Sequence, residues 1–529
     1  MNTMAKIHWA DQAAEKLLKN ARNVAASGTS ISGRPHIGNA NDVIRAGIVA
    51  EAVKQAGGKA ELIWISDNMD PLRRVPEGLP KSYEQYLGMP YADIPDPDGC
   101  HASFVEHYEK ILLDEVAATG VFPKTYSGRQ MYRSGMYDEA IRVAIEKKME
   151  IKAILDKFRE HPLPDSWFPF APICAKCGRI ATPKVTGFDG KDAHYVCADA
   201  VVGKGDYPIK GCGHEAQVDF HEGKLVWRVE WASRWKFLGI TCEPFGKEHA
   251  AAGGSWDTGK LITEQIYGYP APLPIIYEHF QVGGQKMSKS VGNVVGVDDW
   301  LECAPPETLR YYLFAGDINV AKDIDISMIL PHVLEEYQRV ERIYFGKAKE
   351  MEVPKDAEAV EKFKRIYELS QLDCVAPKEM PAQVPFGFAA LLAQVVPAKE
   401  KKIEMLKRTG HFMEKDEEAI LSFIEKAGNW AKKYKPEGYV VEFVDAAQAS
   451  KALGGGKAEL LRAFVPLYEK SELRDAVKAT AAAAGKPDKE IFAVVYCALF
   501  AKEKGPRLSS LEEAIGKQKL LELLKAAAQ

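Results

Sequence analysis

The sequence has no long hydrophobic run. No stretch reaches the roughly 18–20 apolar residues that span a bilayer. The nearest, FGFAALLAQVVPA, is too short and reads as a buried helix. The opening residues, MNTMAKIHWADQAAEK, lack the apolar core of a signal peptide. A soluble, cytoplasmic chain without membrane contact is therefore expected. An excess of one charge is also missing: 70 basic and 74 acidic residues leave a net charge of −4. Any nucleic-acid surface must then be local, or aided by shape. Cysteine is sparse, nine in 529 residues, and the odd count in so long a chain argues against a disulfide framework.

What is present is ordinary globular composition, 46% hydrophobic and 27% charged. At roughly 100–200 residues per domain, the length suits about three to five domains. AAEKLLKNAR predicts a helix and NVAAS a short strand. SGTSISGRPHIGNAND is a turn-rich loop, DVIRAGIVAEAVKQAGG a helix ended by glycines, and KAELIWISD a buried strand. Strand, helix, strand is a βαβ unit, so a parallel α/β sheet is expected. From about residue 95 to 225 the pattern loosens into an insertion, and regular apolar segments return over 226–290. Beyond 330 successive helices without strands predict an all-α C-terminal domain, with KALGGGKAE as a linker or helix break.

Two loops carry chemistry. In Ser32-Gly33-Arg34-Pro35-His36-Ile37-Gly38-Asn39, a turn runs straight into a helix. A helix N-terminus attracts anions. Gly33 and Gly38 admit a ligand to the backbone, Pro35 stiffens the turn, and His36 offers a donor to a phosphate. The other loop, QVGGQKMSKSVGN, has glycines on both sides. Its Lys286 and Lys289 can neutralise phosphate charge while Ser288 and Ser290 donate hydrogen bonds.

A third signal is Cys174-x-x-Cys177 followed by Cys197 and Cys212, a knuckle-type spacing in polar turns. It predicts a closed, structural, tetrahedral Zn²⁺ site, with His214 as the alternate fourth ligand. Asp96, Cys100, His101 and His107 form a weaker constellation of zinc-type ligands.

His36-Ile37-Gly38-Asn39 and Lys286-Met287-Ser288-Lys289-Ser290 resemble the two signature motifs of class I aminoacyl-tRNA synthetases. The second matches at all five positions, while Asn39 stands where the general form has a second histidine. That variant, with SDNMDPLRRVP, VWRVEWASRW, PFGKEHAAAGGSWDTG and YEHFQVGGQKMSKSVGN, is similar to class I lysyl-tRNA synthetases. The resemblance covers roughly residues 25–330. It implies a Rossmann-type catalytic domain split into residues 1–95 and 226–290. A zinc-bearing connective insertion would span 96–225, a stem-contact helical region 291–345 and an α-helical anticodon-binding domain 346–529.

The implied activity is ATP-dependent ligation of L-lysine to tRNA(Lys) through a lysyl-adenylate, with Mg²⁺ on the phosphates and the chain acting as a monomer. His36, Asn39, Lys286 and Lys289 would be catalytic. ATP would also meet Pro35, Gly38, Met287, Ser288 and, at the ribose, Asp257, unless that residue simply makes a turn. For lysine, Glu230 and Trp231, expected on a core strand, supply a carboxylate and an aromatic face. Glu230 can instead pair with Arg228 or Arg234. His249 and Tyr277 are further partners, and Gly28 and Thr29 are placed to hold the α-amino group. The second metal constellation agrees with the family's insertion. For tRNA, Trp430 and Tyr434 combine aromatic and basic surroundings, or simply face solvent on an amphipathic helix. The rival readings are a glutamyl- or arginyl-type class I enzyme and a catalytically inactive RNA-binding paralogue.

Overall fold

The computed structural model describes residues 8–76, 78–202, 207–287 and 294–529. The chain divides into two compact units. The first holds residues 1–297, 313–324 and 356–375, and the second holds 298–312, 325–355 and 376–529.

The elements that build the site in the first unit follow in chain order. They are α1 (Trp9–Leu17), β1 (Asn23–Thr29), α2 (Ile37–Gln55), β2 (Ala60–Ser66), β3 (Lys124–Ser127), α3 (Trp227–Leu238), β4 (Cys242–Gly246) and β5 (Leu273–Tyr277). A small sheet adds β6 (Phe280–Val282), β7 (Gln285–Lys286) and β8 (Lys322–Asp323). The main sheet has the order β5-β4-β1-β2-β3 and every pairing is parallel. This is the Rossmann-type α/β fold the sequence predicts. The order reverses between β1 and β4, and a crevice opens at the carboxyl ends of such strands.

β1 lies at the centre and is almost wholly buried, as its run of small apolar residues requires. Its Val24 and Ala26 share one core with Ile63, Ile65, Trp231, Trp235 and Phe245. The helix Ala357–Ser370 belongs to this unit too: Arg365 ion-pairs with Asp11 of α1 at 2.8 Å.

One expected element is different. Glu230 and Trp231 lie on helix α3, not on a core strand. Aromatic and β-branched residues favour strands, but Trp227, Trp231 and Trp235 recur every fourth residue and so share one helix face. Gly239, at φ +67°, closes that helix in the left-handed region.

Of the stretch 96–225 expected as an insertion, β3 (Lys124–Ser127) belongs to the main parallel sheet, while the strands after residue 169 are short and antiparallel. Pro183–Phe188, Ala193–Cys197 and Glu215–Val218 form one sheet, and Phe170–Pro172 pairs with Gly223–Leu225.

The regular elements described in the second unit are all helices. The helix Ala446–Lys470 is broken at Gly454, whose φ is +58°, within the predicted glycine break. Trp430 is fully buried, packs on Phe386 and Tyr439, and donates from Nε1 to the Ile326 carbonyl at 2.9 Å. It is a core residue, so it neither faces solvent nor offers a stacking surface.

Candidate active site

A cavity of about 240 Å³ opens beside the ends of β1, β4 and β5. Both loops singled out in the sequence line it. From the first come His36, Gly38 and Asn39; from the second come Lys286 and Met287. Gly28, Trp231, His249 and Tyr277 complete the predicted residues that meet there. Lys289 and Ser288 lie outside the described residues, as does Ser290.

α2 begins directly after His36, so the positive end of its dipole lies beside the cavity that His36, Gly38 and Asn39 line. Asn39 Oδ1 accepts the His36 N–H at 3.1 Å, fixing the first turn. A Cβ at Gly38 would lie 2.9 Å from the His36 ring, so only glycine lets the imidazole cross the backbone there. The two loops are also joined directly: Ile37 N–H donates to the Val295 carbonyl at 2.9 Å. Lys286 ends the β6–β7 hairpin and is exposed.

Several residues that the sequence reading passed over shape the cavity. Asp67 and Arg234 both line it and pair with each other, Nη1 to Oδ1 at 2.5 Å. A Cβ at Gly28 would stand 2.6 Å from Arg234 Nη2, so glycine is what lets the guanidinium reach Asp67. Glu243, 3% exposed, accepts Trp231 Nε1 at 3.1 Å and Trp235 Nε1 at 2.6 Å. It thereby locks two indoles whose orientation packing alone would leave open. Burial raises the Glu243 carboxyl above the usual carboxylate range.

Asp42 follows Asn39 by three positions and therefore shares its helix face. Its carboxylate accepts the Tyr277 hydroxyl. Burial pushes Asp42 up to about 7, against the opposing effects of the Tyr277 bond and the nearby Arg45. Arg45 stacks 5.2 Å from the ring centres of Trp9 and Tyr277. His249 lies among Trp227, Trp231 and Phe245, with Nδ1 3.3 Å from Ser255 Oγ; burial lowers its pKa, so its imidazole is neutral.

Other predicted residues lie elsewhere. Glu230 does not line the cavity. It accepts the Tyr132 hydroxyl at 2.9 Å and pairs with Lys224 at 2.8 Å, while Lys224 also holds Asp70. The arginines considered for it are engaged otherwise, Arg234 with Asp67 and Arg228 with Thr258. Asp257 accepts the Gly253 N–H at 3.0 Å in a turn. Thr29 accepts Trp64 Nε1 at 3.2 Å, and neither it, Asp257 nor Pro35 lines the cavity.

Both ligand sets converge. The sulfurs of Cys174, Cys177, Cys197 and Cys212 all lie within 4.8 Å of one another, with Cys174–Cys212 at 3.6 Å and Cys177–Cys197 at 3.7 Å. Zn–S bonds of about 2.3 Å in a tetrahedron require sulfur separations of about 3.8 Å, so the donor set fits. His214 is outside this group, and its carbonyl accepts the Cys197 N–H instead. Asp96, Cys100, His101 and His107 also gather within 4.8 Å, with Cys100 Sγ 3.1 Å from His101 Nδ1 and 3.2 Å from His107 Nδ1.

Sheet order and cavity together define a Rossmann-type α/β protein with the first signature, and Lys286 and Met287 of the second, at its switch point. Residues 7–373 match the family described as tRNA synthetases class I (K). The chain belongs to that family of class I aminoacyl-tRNA synthetases. It is 36% identical to a protein of Methanosphaera stadtmanae named lysine–tRNA ligase, over 96% of this chain and 97% of that one. Lysine–tRNA ligases of Methanocaldococcus jannaschii and Archaeoglobus fulgidus are 35% and 33% identical. They cover 97% and 98% of this chain, and 98% and 100% of their own length. A glutamate tRNA ligase structure from Elizabethkingia meningosepticum aligns at 13% identity with a TM-score of 0.39, covering 96% of this chain and 99% of that one.

Proposed function

We propose that this chain ligates L-lysine to tRNA(Lys) through a lysyl-adenylate. The observation that carries the reading is the meeting of both signatures at one cavity rich in carboxylates. Asp42, Asp67, Glu243 and Glu248 line it, against Arg234 and Lys286. Such a lining suits an amino acid with a cationic side chain and opposes glutamate.

Asp42 is the receptor for the lysine ammonium. Asp67 already holds Arg234, and each oxygen of Glu243 already accepts an indole N–H. Asp42 keeps acceptor capacity beyond the Tyr277 bond, and burial leaves its ionised form in want of more positive charge than Arg45 supplies. The ammonium supplies that charge. Trp231, held by Glu243, with Trp227 and the neutral His249 ring forms the aromatic wall beside it.

ATP enters as its magnesium complex. The lysine carboxylate attacks the α-phosphorus, a P–O bond forms, and the bond to pyrophosphate breaks. The N-terminus of α2, with His36 and Asn39, receives the phosphates from one side and Lys286 from the other, with Lys289 assigned to them by the motif resemblance alone. Charge grows on the leaving group, and donors already in place stabilise it without reorganisation. In the second step a ribose hydroxyl at the tRNA 3′ end, the 2′-OH by family resemblance, attacks the adenylate carbonyl and releases AMP.

The two ligand clusters are proposed as zinc sites outside the chemistry. The four cysteines tie the strands of the insertion together, which is the role of a closed site.

The test is charging of total tRNA with labelled amino acids and ATP. Lysine alone should be esterified. Charging with glutamate or arginine in its place overturns the reading, and charging with none supports an inactive RNA-binding protein.

A further inference from the structure

We propose that Asp323 is a positioning residue for the second signature, acting from outside the cavity on the hairpin that presents Lys286. The inference rests on the reading of the cavity as the ATP site.

The β6–β7 hairpin turns through Gly283 and Gly284, with φ of +59° and +77°. That turn needs left-handed conformations at both positions, which glycine adopts at no steric cost. Such a turn sets register only if something holds it, because glycine also permits many other conformations. One carboxylate does so. Asp323 accepts the Gly283 N–H on Oδ1 at 3.1 Å and the Gly284 N–H on Oδ2 at 2.7 Å. Two residues later, Lys286 and Met287 line the cavity.

Asp323 is itself fixed. It sits on β8, which pairs in parallel with β6, Gln281 opposite Asp323, and the Ile324 N–H donates to the Gln281 carbonyl at 2.7 Å. The neighbouring Lys322 donates to the carbonyls of Leu313, at 3.3 Å, and Ala315. Arg45 donates to the same Leu313 carbonyl at 3.1 Å. Arg45 belongs to α2, the helix whose first turn carries His36 and Asn39. Hydrogen bonds and chain connections thus link α2, through Arg45, Leu313 and Lys322, to the glycine turn that Asp323 holds. Asp323 is the link that has no other place in the cavity's chemistry.

The test is a kinetic cycle on the full chain, with wild-type lysine charging as the control that judges the underlying reading. Asp323→Ala should lower kcat about ten- to a hundred-fold, because small misplacement of a phosphate-binding group costs that order. The KM for lysine should stay within about two-fold, since the hairpin presents no lysine-binding group. Asp323→Asn, which keeps one acceptor, should fall between. In a Lys286→Ala background, Asp323→Ala should add less than about two-fold, because its effect passes through Lys286. Wild-type kcat in Asp323→Ala overturns the proposal. So does a full, additive loss in the Lys286→Ala background, or a loss of kcat matched by an equal rise in the KM for lysine.

Discussion

At the scale of single residues, the proposed receptor Asp42 should govern lysine affinity and its pH dependence. Its carboxyl, raised to about 7, is largely protonated in the empty site below that pH. An arriving ammonium requires it ionised, so binding below about pH 7 releases a proton. Lysine affinity should therefore rise between pH 6 and 7 and level off by pH 8, measured as the Kd for lysine by calorimetry in buffers of different ionisation enthalpy. Asp42→Asn should abolish that slope and raise the KM for lysine roughly ten- to a hundred-fold, the scale of a lost hydrogen bond to a charged group. Gly28 offers a second test. In Gly28→Ala the new methyl meets Arg234 Nη2 at 2.6 Å, so the Arg234–Asp67 pair must move. Charging should fall at least about ten-fold while the fold persists, read as kcat/KM beside an unchanged circular dichroism spectrum.

At the scale of elements, the βαβ opening was legible because local signals agree there: apolar runs, a turn-rich loop and glycines after the helix. Helix α3 was not, because its tryptophans and valines have strand propensity and only the fourfold spacing of the indoles betrays the helix. The candidate site was half legible for a related reason. Residues inside the signature loops can be read locally, and His36, Gly38, Asn39 and Lys286 do meet. Glu243, Asp67 and Arg234 become neighbours only when β4, the end of β2 and α3 come together. Asp42 carried a signal that went unused, its three-residue offset from Asn39. An acid within the otherwise buried strand β4 was a similar hint for Glu243. The cysteine knuckle was readable because its ligands lie in short, polar, closely spaced turns. Cys174→Ser should lose about one zinc per chain by elemental analysis, and Cys100→Ser should lose a separate one. Unchanged zinc content in both would contradict the two-site reading.

At the scale of the molecule, the chain forms two compact units, and the cavity lies wholly within the first. A non-hydrolysable lysyl-adenylate analogue at about 100 times its Kd should stabilise that unit by about 2.7 kcal/mol. Scanning calorimetry should then show two transitions, of which only one moves with ligand. One transition shifting as a whole would mean that the units unfold together. The burial of Asp42 has a consequence for durability as well. A carboxyl raised in the folded state loses stability as pH climbs from its unfolded value near 4 toward 7. The empty enzyme therefore tolerates heat less well at neutral pH than the same chain carrying an asparagine there, and that difference should vanish near pH 4. A population selected only for surviving a heat shock would discard this aspartate. On the proposed role of Asp42, one that must also keep translating should retain it.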